Sequence, residues 1–182
     1  MTASFRIVTE LDAPPERVFA ISLDIGAHER SLAGTGERAV AGTTNGAIGL
    51  GETVTFRARH LGVVWQLTSR ITALEAPHRF VDEQVRGPFA RFRHEHRFEP
   101  SARGTGMHPA RGARMPPARG ARMPPARGTR MIDEIEFRAP FGPLGRLAEV
   151  LVLRRYLERL ITERNAALAA ELGPADGFTA GR

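Results

Sequence analysis

Two histidines separated by a single residue, His94 and His96, lie within residues 91–99, RFRHEHRFE. If this run is a strand, its side chains alternate between faces. Phe92, His94, His96 and Phe98 then share one face, and Arg91, Arg93, Glu95, Arg97 and Glu99 the other. Residues 131–138, MIDEIEFR, alternate in the same way, with Met131, Asp133, Ile135 and Phe137 on the inward face. Pairing the two runs with Phe98 opposite Met131 sets His96 opposite Asp133, His94 opposite Ile135 and Phe92 opposite Phe137. An inward histidine then comes within reach of a carboxylate. Such a pair can act as a general base or anchor a ligand hydroxyl or carbonyl. It can also simply satisfy itself in a core. Ligand orientation or structural satisfaction is the expected role; His96 as base with Asp133 orienting it is the catalytic alternative. The His-x-His spacing suits a metal as well, but the sequence offers no clear third and fourth ligand, so no metal and no cofactor are expected.

Other chemistry is excluded by composition. The chain has no cysteine, which removes thiolate nucleophiles, disulfides and Cys-ligated metal centres. It has no lysine either, so Schiff-base catalysis and a lysine-bearing phosphate loop are ruled out. The glycine-rich run at 45–51, NGAIGLG, lacks the following helix that a phosphate loop needs.

The net charge of +6 and a pI near 11.3 would ordinarily point to an acidic partner. Here the charge is local. Residues 100–131 are four tandem octapeptides, PSARGTGM, HPARGARM, PPARGARM and PPARGTRM, carrying seven arginines and no acid. Outside them stand 19 arginines against 20 acidic residues, a net of −1. Eight residues with Met as the one sizeable apolar side chain cannot stack into a solenoid. Proline pairs, glycine and like charges predict an extended excursion, and added loop length costs little free energy. Collapsing the four units to one leaves an ordinary hairpin turn, so the stretch reads as a loop expansion within one domain over 1–173, with 174–182 a tail. Attachment of the arginines to nucleic acid or an anionic membrane is the lesser alternative. With no long apolar run and no signal-peptide pattern at the N-terminus, a cytoplasmic location is expected. The oligomeric state is not legible.

The elements that must position the histidines follow from pattern. Residues 4–11 read as a strand. Ala13-Pro14-Pro15-Glu16 then opens a helix with proline in its first turn, and a second helical turn follows Asp24 as N-cap. Strand-length runs cover 37–43, 52–60, 63–74, 79–86 and 89–99, broken by Asn45-Gly46, Leu61-Gly62, Ala76-Pro77 and Gly87-Pro88. From Gly142-Pro143 to Leu172 a long helix is predicted, ended by Gly173-Pro174. Val150, Leu153, Leu157, Leu160, Ile161 and Leu168 form its apolar face, and Arg154 with Glu158 and Arg159 with Glu163 its wetter one. This order implies an α+β fold, a curved antiparallel sheet wrapped around a long C-terminal helix, with two short helices after the first strand.

Several segments carry a resemblance to the SRPBCC superfamily (START/Bet v1-like, including polyketide cyclases and lipid carriers). They are residues 13–19 (APPERVF), 79–89 (RFVDEQVRGPF), 92–99 (FRHEHRFE), 128–131 (GTRM), 140–145 (PFGPLG) and the final helix. The resemblance implies the helix-grip fold and a small hydrophobic or aromatic, or lipid-like, ligand held between sheet and helix. Some branches of the superfamily act as cyclases, aromatases or dehydratases. Ligand contacts are expected from Trp65 and Leu67, which alternate with Ile71 along one strand, although core packing is the plainer reading for these. They are also expected from Phe92, His94 and His96, from Asp133, Ile135 and Phe137, and from Leu153 and Leu157.

Overall fold

The computed structural model describes residues 2–101, 128–140 and 152–173. Seven strands form one antiparallel sheet: β1 (Ala3–Leu11), β2 (Arg38–Gly42), β3 (Thr53–His60), β4 (Val63–Glu75), β5 (Arg79–Arg86), β6 (Arg91–Ser101) and β7 (Gly128–Arg138). Their order is β1-β7-β6-β5-β4-β3-β2, so every neighbour except β1–β7 is also adjacent in sequence. Between β1 and β2 lie α1 (Pro15–Leu23) and α2 (Ile25–Ser31), followed by one 3-10 turn at Ala33–Thr35. The last described helix is α3 (Arg154–Leu172), which packs on β1 and α2. This is the helix-grip arrangement that the order of elements implied.

Local chemistry fixes the short helices. Pro15 opens α1, where its missing N–H costs nothing, and Glu16 sits in the first turn. Asp24 caps α2, its Oδ1 accepting from the Ala27 amide at 2.6 Å. On α3, Arg154–Glu158 (2.9 Å) and Arg159–Glu163 (2.7 Å) pair along the exposed face. Leu157, Ile161 and Leu168 are buried. The helix start expected at Gly142-Pro143, and Val150, lie outside the described residues.

Pairing within the sheet sets the site. β6 and β7 pair with Phe98 opposite Met131, His96 opposite Asp133, His94 opposite Ile135 and Phe92 opposite Phe137, the register read from the alternation. The ladder runs further than expected, through Pro100↔Thr129 to Ser101↔Gly128, so parts of the first and last octapeptides belong to the strands. The rest of the octapeptide stretch, residues 102–127, falls outside the described residues. Bulges between Thr68 and Ser69 and between Ile71 and Ala73 interrupt the β4–β5 ladder; such insertions bend a strand and increase its twist. Ile132, on the face expected to point outward, is only 1% exposed: β7 is an interior strand and Ile132 sits between Val8 and Arg97.

Candidate functional site

A cavity of about 670 Å³ lies between the sheet and α3. Its wall is mostly apolar, with Phe56, Ile71, Phe80, Phe92, Leu157 and Ile161 among its residues. Leu61 and Trp65 also line it while remaining 61% and 42% exposed, so the cavity reaches solvent near the β3–β4 turn.

Polar side chains enter this wall in two groups. The deeper group is built on β5, β6 and β7. His94 and His96 point inward from β6, their ring centroids 3.7 Å apart, and Phe80 stacks on His96 at 4.1 Å. Asp82 faces them from β5, opposite His94 in the ladder. Its Oδ1 lies 3.4 Å from His96 Nε2 and 3.9 Å from His94 Nδ1. Behind the two imidazoles lies Asp133, with no solvent exposure. The hydrogen bond to Asp133 comes from His94, Nε2 to Oδ1 at 2.9 Å. His96 Nδ1 is also 2.9 Å from that oxygen but lacks the angle for a hydrogen bond. The expected His96–Asp133 pair is thus a cluster in which the directly opposed histidine is close and the diagonal one is bonded, since diagonal cross-strand neighbours lie within reach of long side chains.

The middle of α3 completes the group. Asn165 Nδ2 donates to Asp133 Oδ2 at 2.7 Å and to Thr9 Oγ1 at 3.0 Å, while its Oδ1 accepts from Arg164 Nη1 at 3.3 Å. Arg164 is 3% exposed, its Nη1 3.8 Å from Asp133 Oδ1. Burial, reinforced by the neighbouring His96, pushes the His94 imidazole down to about 4, against the opposing pull of Asp133 and Asp82. At neutral pH His94 is therefore uncharged. Burial alone would raise Asp133, but the imidazoles of His94 and His96 outweigh it and hold the carboxyl well below its usual range. The same balance, burial against the two imidazoles, leaves Asp82 lowered.

The second group lies along α2, β3 and α3. His28 stacks on Phe56 at 4.3 Å and meets Glu37 Oε1 at 3.0 Å. His60 Nδ1 and the Tyr156 hydroxyl share a hydrogen bond of 2.7 Å. Burial lowers His60, opposed by Glu37, and raises Tyr156.

Of the residues expected from sequence, Trp65, Leu67, Phe92, His94, His96, Leu153 and Leu157 line the cavity. Asp133, Ile135 and Phe137 are buried on β7 and are not part of the wall. Sequence reasoning missed Asp82, His28, Glu37, His60, Tyr156, Arg164 and Asn165. For Asp82 a signal existed: alternation within residues 79–83 places it on the same face as Phe80, beside the histidine strand.

The family model for polyketide cyclase/dehydrase and lipid transport proteins matches residues 2–173. The chain belongs to this family. It is a member of the SRPBCC superfamily, whose fold recurs in solved structures. The protein TTHA0849 from Thermus thermophilus superposes with a TM-score of 0.68 at 16% identity, covering 96% of this chain and 100% of that one. The Zhui aromatase/cyclase from Streptomyces sp. R1128 gives 0.67 at 13% identity, covering 100% of both chains. A START superfamily protein from Mycobacterium smegmatis gives 0.62 at 10% identity, covering 93% and 96%. At these identities the likeness is one of fold. No curated protein sequence matches the chain.

Proposed function

We propose that this family member binds a small hydrophobic or aromatic, or lipid-like, molecule in the cavity between the sheet and α3. The observation that carries the reading is the cavity itself: about 670 Å³, mostly apolar, with polar side chains gathered in two groups. Ligand pockets commonly have this size and this character, an apolar wall with a few polar groups that fix orientation. The deep group is suited to holding a carbonyl or hydroxyl, and Trp65 and Leu61 flank the way in.

Trp65 is the chain's one tryptophan and lines the cavity, so its fluorescence is a built-in probe. Titration with 1-anilinonaphthalene-8-sulfonate should quench Trp65 and saturate at one dye per chain. Ser69→Phe, which places a ring into the cavity from a buried wall position, should weaken that binding at least tenfold with the fold intact by circular dichroism. Equal binding by both proteins would place the dye elsewhere and contradict the reading.

A second reading, a cyclase, aromatase or dehydratase, draws on the two imidazoles backed by a buried carboxylate in the cavity wall. In it His96 is the base and Asp133 its orienting partner. His94, at about 4, is too weak a base to serve at neutral pH. His96→Gln should then abolish turnover of a polyketide-like substrate while sparing its binding; unchanged turnover would remove His96 from that role.

A further inference from the structure

We propose that Asp82, His94 and His96 form a binding site for a divalent first-row transition metal ion of the zinc class, on the buried wall of the cavity. One ligating atom from each of the three lies within 4.8 Å of the others. With bonds of about 2.1 Å, the ligands of a tetrahedral ion stand roughly 3.4 Å apart. The Asp82 oxygen is 3.4 Å from His96 Nε2 and 3.9 Å from His94 Nδ1, so small side-chain rotations close the set.

The decisive feature is how the imidazoles are oriented. Each ring bridges two carboxylates, one nitrogen toward Asp133 and the other toward Asp82. Asp133 is the better anchored of the two. It accepts from the Asn165 amide and lies near the Arg164 guanidinium, so it behaves as an acceptor and draws an N–H from the histidine side facing it. The His94 hydrogen bond then assigns the proton to Nε2 and leaves a lone pair at Nδ1. His96 Nδ1 lies 2.9 Å from the same Asp133 oxygen, and the small ring rotation that would align its N–H with that oxygen also turns the Nε2 lone pair to converge with that of His94 and an Asp82 oxygen. Three acceptors directed at one point make a place for a cation.

Asp133 supplies what such a site needs behind its ligands. Metal-bound histidines usually donate their other N–H to a carboxylate, which fixes the tautomer and increases the basicity of the ligating nitrogen. Asn165, itself held by Thr9, fixes that carboxylate in turn. Two carboxylates against the single guanidinium of Arg164 leave the cluster short of positive charge. Two imidazoles and a carboxylate suit zinc and its neighbours in the first row. All three ligands line the cavity, so the remaining coordination positions open into it, as in sites that bind an exogenous oxygen ligand.

The site does not depend on the cavity taking an organic molecule, and its test uses metal alone. Chelator-treated protein should take up one Zn²⁺ per chain with a micromolar or tighter Kd in competition with a chromophoric chelator. Co²⁺ at the same site should give the visible absorption of a four- or five-coordinate ion. Asp82→Asn and His96→Gln should each weaken binding by at least about tenfold. His78→Gln, at an exposed histidine outside the cavity, should leave it unchanged. Circular dichroism checks the fold of each variant, and Asp82→Asn, at a residue 20% exposed, decides the matter if His96→Gln does not fold. Absence of stoichiometric uptake would overturn the proposal, as would wild-type affinity in folded Asp82→Asn.

Discussion

Asp133 shows how much a single buried side chain can organise. It carries no exposure, yet its two oxygens meet His94 and Asn165 directly and His96 and Arg164 at close range. A buried carboxylate without partners is costly, so each donor bears part of its stability. Replacing Asn165 with Leu removes the Oδ2 donor and strands Thr9 Oγ1. We expect a loss of about 1–3 kcal/mol in urea unfolding, against a smaller loss for Thr9→Val. An Asn165→Leu change of less than about 0.5 kcal/mol from wild type would mean that water or Arg164 replaces the amide. This residue-level network was only half legible in the sequence. Alternation gave the facing of His94, His96 and Asp133 and their register, because successive side chains of a strand point to opposite faces of the sheet. It could not reveal that the hydrogen bond runs diagonally to His94. Arg164 and Asn165 were hidden for another reason: polar residues on a helix read as solvated unless a buried partner is known, and theirs is a carboxylate on a distant strand.

At the scale of elements, the outer face of the β5–β6–β7 sheet is tied by charge while the inner face holds the site. Glu95 on β6 binds Arg79 on β5 at 2.8 Å and also Arg93. The Arg79 hydrogen bond, with Arg93, holds the Glu95 carboxyl at about 2 against the effect of burial. Its folded value is thus below its unfolded value of about 4.5. The contribution is complete above the unfolded value and is lost as pH falls from there toward 2. Wild type should therefore exceed Glu95→Gln in stability by a constant amount near neutrality, and the gap should close as denaturant midpoints are followed down through this window. A gap that widens on acidification would contradict the assigned pairing. The strands and the Asp24 cap were readable from residue type and spacing, as were the ion pairs on α3. Asp82 was hidden because the β6–β7 alternation relates the histidines only to β7, whereas the cluster is completed by an inward residue of a third strand, β5.

For the whole molecule, family membership and fold agree with a chain organised around its interior. The global charge of +6 reflects the octapeptide arginines, which connect the paired ends of β6 and β7 at Ser101 and Gly128. No described helix is long and apolar enough to cross a membrane. In the space between sheet and α3, aromatic, aliphatic and imidazole side chains meet. That space was implied by the order of elements, but its size depends on side chains from β3, β4, β5 and β6 and from the three described helices, which no local pattern encodes. Native mass spectrometry of freshly purified protein, compared with Ser69→Phe purified in parallel, tests the binding function most directly. Wild type should carry a small hydrophobic or aromatic adduct, or take up one added ligand per chain, and the filled variant should not. Identical ligand-free spectra for both proteins, before and after incubation with such ligands, would contradict it.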